Sequence, residues 1–221
     1  MLCYLYMVVL HRLDHDPGSA SNIAPGAVLG TIAMVYAVPC ESTVFGRSRR
    51  DRLAMGQVIK TGRVVVACSS PTTGVPKYPR DAVVVGPEGI VDDYHAGPIN
   101  KHKKRGEPEP NHRQITILAQ EVVEALNKQL DIDLQPGDLA ENFLVTGLGD
   151  LTDLQAGDRV RIGEVVLEVT GQNRPCATIG VHHPLLVKSI HGRRGIVAVV
   201  LVTGIARPGD PVTVERPQDG E

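Results

Sequence analysis

Residues 158–180 read DRVRIGEVVLEVTGQNRPCATIG, and this stretch both decides the fold and points to the chemistry. From Gly163 to Thr170, Val165, Leu167 and Val169 alternate with Val166, Glu168 and Thr170, the two-residue period of a half-buried strand. Gly171, Asn173 and Pro175 end that strand. Pro175 fixes its own φ and biases Arg174 toward an extended conformation, so Cys176 leaves the strand on a stiffened backbone with a guanidinium two residues away. A thiol in such a polar, basic loop is favoured as thiolate, the form that binds soft metals and carries sulfur. A cysteine serving only as a small buried hydrophobe belongs in an apolar run instead.

Outward from this stretch the chain stays β-rich. RVVVACS (63–69), DAVVV (81–85), GIVAVVLVT (195–203) and PVTVE (211–215) are valine-rich segments bounded by Gly, Pro and Asp. Gly-Asp pairs at 157–158 and 209–210 lead directly into such segments, as turn chemistry requires. One helix is expected over Thr116–Leu130, where Leu118, Val122, Ala125 and Leu126 share a face. The fold class is therefore mainly β, a barrel of short strands with one or two covering helices.

Composition narrows the function. Lys and Arg total 23 against 25 Asp and Glu, so nothing in the charge balance favours nucleic acid or an anionic membrane. There is no Trp and there are only two Phe, which leaves no aromatic platform for base stacking and requires an aliphatic core. The cysteines at 3, 40, 68 and 176 form no paired spacing, so neither a disulfide framework nor a zinc knuckle is expected, and a reducing, cytoplasmic setting fits. MLCYLYMVVL (1–10) is apolar but too short to span a bilayer and lacks the basic start of a signal peptide. Residues 1–58 read as a poorly ordered or unmatched extension, either an appended arm or sequence upstream of a start near Met55. Residues 59–216 read as the barrel domain and 217–221 as a tail.

Taken in order, GPEGIVDDYHAG, HRQITIL, LAENFLVTG and VTGQNRPCATIG carry an Arg-Gln pair, a Glu-Asn pair and one late Cys. This order resembles the MOSC domain, named for the C-terminal domain of molybdenum cofactor sulfurases, over about residues 61–215. The resemblance implies a fold similar to the β-barrel domain of pyruvate kinase. It implies that Cys176 carries a persulfide or ligates molybdenum of the molybdenum cofactor, a molybdopterin. Arg113 with Gln114, and Glu141 with Asn142, match the pairs that shape the pocket around that cysteine. Asp93 and His95 match the Asp and His of a Gly-Asp-x-His segment whose glycine is here Asp92, so the resemblance leaves that loop's backbone conformation open.

The same residues admit plainer roles. Arg113 could be a solvated charge at the entrance of the 116–130 helix, although a basic residue there opposes the helix dipole; the alternative is a planar fork of donors for a phosphate or a pterin edge. Asn142 could supply donor and acceptor to the pterin while Glu141 anchors its loop, or both could be ordinary loop residues. Arg174 joins the cofactor-binding candidates through its place beside Cys176. Lys101–Arg105 and His191, Arg193 and Arg194 read as solvated basic loops or an outer rim. A zinc site of Cys176 with His182 and His183 is conceivable but lacks a second thiol. The implied partners are an electron donor protein, were the chain the molybdenum subunit of a reductase of N-hydroxylated compounds, or a cofactor-synthesis or sulfurase protein. A cofactor delivery or storage module without catalysis is the alternative. Pyridoxal phosphate attaches to the family only through the full sulfurase, and no lysine here stands in a Schiff-base setting.

Overall fold

The computed structural model describes residues 56–103 and 105–218. The expectations for residues 1–55, including Cys3 and Cys40, and for the last residues of the tail lie outside these.

The chain forms β1 (Gln57–Ser69), β2 (Tyr78–Arg80), β3 (Val83–Gly86), β4 (Gly89–Ile90), β5 (Ile115–Ala119), α1 (Gln120–Leu130), β6 (Phe143–Thr146), β7 (Arg159–Ile162), β8 (Val165–Gln172), α2 (Leu186–Ser189), β9 (Ile196–Val202), β10 (Gly204–Ala206) and β11 (Pro211–Arg216). A short 3-10 helix, Ala177–Val181, lies between β8 and α2. The main sheet runs β11-β7-β8-β9-β5-β6-β1-β2 and closes on itself because β1 also pairs with β11, giving a barrel of seven strands with β2 appended to β1. A second small sheet, β10-β3-β4, stands beside it. The mainly β barrel with two covering helices is thus the fold observed.

The sequence explains this closure. β1 is long enough to pair with β11 through Gln57–Arg63 and then with β6 through Arg63–Ala67, bending at bulges on the way. The opening stretch is a hairpin, β7 and β8, turning at Gly163, whose φ of 55° suits glycine. The strand read as Gly163–Thr170 therefore starts after this turn and continues to Gln172. Inward residues alternate along the strands: Val160 and Ile162, Val165, Leu167 and Val169, Ile196 and Ala198, Val212 and Val214 are all buried. Among the described residues the core is aliphatic, with Phe143 as its one aromatic.

The helix begins four residues later than its periodicity suggested. Ile115–Ala119 is strand, antiparallel to β9 and parallel to β6, and the parallel pairing demands a crossover, which α1 and its following loop supply. β-branched Ile115, Thr116 and Ile117 suit the strand, and the Thr116 N–H and hydroxyl, both donating to Asn142 Oδ1, fix it there. In α1, Val122, Val123 and Leu126 are buried, while Ala125, placed on the inner face by the sequence, is exposed.

Candidate functional site

Where β8 ends, Asn173 is tied back to the barrel by a backbone bond from its N–H to the Gly195 carbonyl, and the chain then lifts away through Arg174 and Pro175. Cys176 follows in an extended conformation, φ −107° and ψ 150°, as the N-cap of the 3-10 helix. The Thr178 N–H donates to its Sγ at 3.3 Å and the Thr178 hydroxyl lies 2.8 Å from it. Burial pushes the thiol's pKa up, but the Thr178 hydroxyl and N–H, aided by the charges of Arg194 and Arg113, outweigh it and hold the thiol below its ordinary value. Cys176 is exposed; the other cysteine among the described residues, Cys68, is buried in β1, and burial together with Glu141 pushes it up to about 12.

Two guanidiniums brace the segment that carries the thiol. Arg113 Nη2 donates to Asn173 Oδ1 at 2.8 Å. Arg194, only 7% exposed, donates from Nη1 to the Arg174 carbonyl at 2.9 Å and from Nη2 to the Leu139 carbonyl at 3.0 Å. Gly195, next to Arg194, lets the start of β9 run close against β5: a Cβ there would fall 2.0 Å from the Ile117 carbonyl oxygen, and its φ is 74°. The buried Nε of each arginine has no partner. Burial pulls both arginines below their usual pKa; the neighbouring guanidiniums, Arg174 beside Arg113 and Arg113 beside Arg194, pull the same way and Cys176 pulls back. An open cleft of about 420 Å³ is lined by Arg113 and Arg174, and a second of about 440 Å³ by Arg174, Pro175 and His191; Cys176 lines neither.

The remaining candidates fall into a different cluster. Asp93 is buried and accepts from both Lys77 (2.8 and 2.9 Å), the Ser70 and His95 N–H groups and Asn142 Nδ2. Burial opposes its charge, but the bonds from His95 and Lys77 outweigh it and hold the carboxyl well below the usual range. Asn142 spends its amide wholly inside: Nδ2 on the Cys68 carbonyl and Asp93, Oδ1 on Thr116 N–H and hydroxyl. Glu141 accepts from the Gly137 N–H at 2.6 Å, leaving its buried Oε2 without a partner, and burial raises its pKa. Gln114 accepts from the Val200 N–H, tying its loop to β9. Asp92 takes the left-handed conformation itself, φ 63°, a region that aspartate tolerates better than most side chains.

Several readings change. Arg113 stands before strand β5 and not at a helix entrance, so the dipole argument does not apply to it. Arg194 is no rim residue but the most buried charge beside the thiol, and Arg193 is tethered to Gln129 and the Ser189 carbonyl. In the basic loop, Lys101 donates to the Tyr94 and Ala96 carbonyls and lies over the Tyr94 ring. His102 stacks on His95, centroids 4.8 Å apart, and burial with the nearby charges of His95, Arg113, Arg194 and Lys77 lowers it to about 4, a neutral imidazole within reach of both arginines' field. His182 is engaged with the Asp138 carbonyl and His183 with the Leu185 N–H; among the described residues no three His, Cys, Asp or Glu are grouped to hold a metal ion. No helix among the described residues is long and apolar enough to cross a membrane. The sequence signal for Arg194 and His102 was only their membership of basic loops.

YuaD of Bacillus subtilis (strain 168), named for metal-sulfur cluster biosynthesis, is 30% identical over 152 residues, 59% of this chain and 78% of its own. The crystal structure of the Bacillus subtilis YuaD protein superposes with a TM-score of 0.66 at 26% identity, covering 74% of this chain and all of that one. The fold is shared with YiiM from Geobacillus stearothermophilus, TM-score 0.55 at 22% identity over 70% of this chain and 75% of that one. Residues 92–213, from the aspartate loop through Cys176 to the last barrel strand, match the MOSC domain; with more than half of its length so matched, the chain belongs to the MOSC domain family.

Proposed function

We propose that this protein handles sulfur in molybdenum cofactor or metal-sulfur metabolism, with Cys176 as the sulfur-carrying nucleophile. The observation that carries the reading is the thiol itself: exposed, held below its ordinary pKa, and bonded by the hydroxyl and N–H of Thr178. Thiolate character and access are what sulfur transfer requires. The family's association with the cofactor and the name of the YuaD relative support the same direction. As a carrier, Cys176 attacks the outer sulfur of a donor persulfide, forming Cys176–S–SH and releasing the donor thiolate; a cofactor-synthesis or sulfurase protein is the partner this implies.

The residues present also fit the molybdenum cofactor. The thiolate is a soft ligand for molybdenum, and the guanidiniums of Arg113 and Arg174, which line the open cleft, suit the anionic end of a pterin phosphate. When bound, that group would supply two-electron redox chemistry, and the protein's part would be to bind and orient it. In that version an electron donor protein completes the system as a reductase of N-hydroxylated compounds, or the chain delivers the cofactor without turnover. Asn142, Asp93 and Gln114 would act beneath the pocket, holding its loops through the bonds described above.

The test is to purify the protein and Cys176→Ser anaerobically from a host that makes the cofactor and to measure cyanolysable sulfur, molybdenum and pterin. Sulfur near one equivalent that disappears in the variant supports the carrier. Molybdenum near one equivalent lost in the variant would shift the role to ligation. Neither, together with failure to load from polysulfide, would overturn the assignment of Cys176.

A further inference from the structure

The chain from Asn173 to Gly195 leaves the barrel after β8 and returns to it at β9, and its side chains divide into two sets. Ile179, Leu186 and Ile190 are fully buried beneath it, whereas Cys176, Thr178, Val181, Leu185 and Lys188 are exposed. Val181, at 75%, is the most exposed large hydrophobic among the described residues, and Leu185 follows at 55%. Side chains three apart eclipse in a 3-10 helix, so Val181 stands one turn along the edge that carries Thr178, whose hydroxyl is 2.8 Å from Cys176 Sγ. α2 packs alongside, close enough that a Cβ on Gly180 would meet Val187 Cγ2 at 3.6 Å. With Leu186 and Ile190 turned inward, the helical period puts Leu185 and Lys188 on the outer side. Five residues of 3-10 helix span about 10 Å and four more reach at most about 14 Å, so Cys176, Val181 and Leu185 fall within the roughly 30 Å footprint of one standard protein–protein contact.

The charge on this excursion is of one sign. No Asp or Glu occurs between Glu168 and Asp210, in a chain whose net charge is −2. Arg174, Lys188 and His191 are exposed, and among the described residues neither Arg174 nor Lys188 takes part in an ion pair. Asp138, the acid that the His182 ring bond brings alongside, spends its carboxylate on the Gln135 N–H. Exposed valine and leucine among unpaired cations have the make-up of a contact surface, apolar at its centre and charged at its rim.

We propose that this excursion is a docking surface for a protein whose contacting face is acidic around an apolar centre, and that the protein docked there is the one that exchanges sulfur with Cys176. This rests on the sulfur-carrier reading and gives its partner a chemistry and a place. Complementary charge steers the encounter, the apolar pair holds the complex, and the thiol lies within the contact, where a partner's sulfur can reach it.

Reduced full-length protein is mixed with a cysteine peptide activated as its 2-thiopyridyl disulfide. The Cys176 thiolate attacks the peptide sulfur, forms the mixed disulfide and releases pyridine-2-thione, whose absorbance gives the rate. The peptide's cysteine is flanked by Leu and Glu, by Leu and Lys, or by Ser and Glu. At about 0.01 M ionic strength the Leu-Glu peptide should react about tenfold or more faster than its Lys counterpart, an advantage that fades near about 1 M. Lys188→Glu should cut that ratio by about threefold, and Val181→Ser combined with Leu185→Ser should abolish the advantage of the Leu-Glu over the Ser-Glu peptide. Loading of Cys176 from inorganic polysulfide, followed by peptide mass, should stay within about twofold in both variants. Equal rates for the Glu and Lys peptides, or a leucine advantage that survives in the double variant, would overturn the docking surface, while polysulfide loading keeps the carrier reading intact. Peptide preference without any polysulfide loading would overturn the carrier reading and leave the surface. A wild-type dimer in sedimentation that dissociates in the double variant would assign the patch to a second copy, and pelleting with phosphatidylglycerol vesicles that Lys188→Glu abolishes would assign it to a lipid surface; either overturns the proposal.

Discussion

The cluster around Asp93 and the cluster around Cys176 draw on the same kinds of side chain, a cation, an asparagine and a nearby cysteine, and reach opposite states. In the first, Lys77 is 2% exposed, its ammonium sits on both oxygens of Asp93, and Asn142 completes the set against the Cys68 carbonyl. In the second, Arg113 bonds Asn173, Arg194 bonds two carbonyls, and each keeps a buried N–H with nothing to accept it. A closed polar cluster rigidifies; an open one is a site. Cys68 and Cys176 follow their clusters, one buried and pushed up to about 12, the other exposed and held down.

The contrast breaks most visibly in thiol reactivity. At pH 7 the thiolate population of Cys176 should exceed that of Cys68 by at least about a thousandfold, since Cys68 is raised to about 12 from 9.0 and Cys176 lies below that ordinary value. Alkylation at neutral pH, followed by peptide mass spectrometry, should therefore label Cys176 long before Cys68. Comparable rates at the two sites would dissolve the distinction between the clusters.

The closed cluster is tested next through its ion pair. Lys77→Met leaves the Asp93 carboxylate buried without its cation and should cost about 3–5 kcal/mol in denaturant unfolding. Asp93 has a folded-state pKa depressed below its unfolded value, so its contribution is fully present above the unfolded value near 4 and is lost as pH falls through the lower folded value. The stability gap between wild type and Asp93→Asn should accordingly hold steady from about pH 5 to 8 and shrink in acid below about pH 4. A gap that widens in acid would show that the pair is not ionised in the native state.

What could be read from the sequence divides along the same line. Local signals gave the barrel strands and the exit of Cys176 on Pro175, because period-two patterning and proline geometry act over a few residues. The β5–α1 boundary was misplaced because Leu118 fits the helical period, while the pairing of Ile115–Ala119 with β6 and β9 is a long-range fact. Arg194 gave no sign of burial: the carbonyls that hold it belong to Arg174 and Leu139, distant in sequence. Lys77 was invisible for the same reason, since Gly137 presses so close that a Cβ would fall 2.0 Å from the Lys77 carbonyl oxygen and thereby helps to bury the segment. The Glu141-Asn142 pair was legible as a pair, but only the fold shows the amide of Asn142 spent on internal partners.

The finest difference between the clusters rests on one hydroxyl. Thr178 gives Cys176 two bonds, and the hydroxyl one, at 2.8 Å, can be removed without touching the backbone N–H or the shape, since valine has nearly the same volume. A hydrogen bond to the charged form favours that form, so its loss raises the thiol's pKa and lowers the thiolate fraction at fixed pH. Thr178→Val should slow alkylation of Cys176 at pH 7 by roughly three- to tenfold, the scale of about 1 kcal/mol, and move the pH–rate profile to higher pH; Thr178→Ser should restore it. Labelling of Cys68, measured in the same digest, should not change, because nothing in its cluster depends on Thr178. An unmoved profile would assign the depressed pKa to the Thr178 N–H and the arginines, leaving the hydroxyl no part in setting Cys176 apart from Cys68.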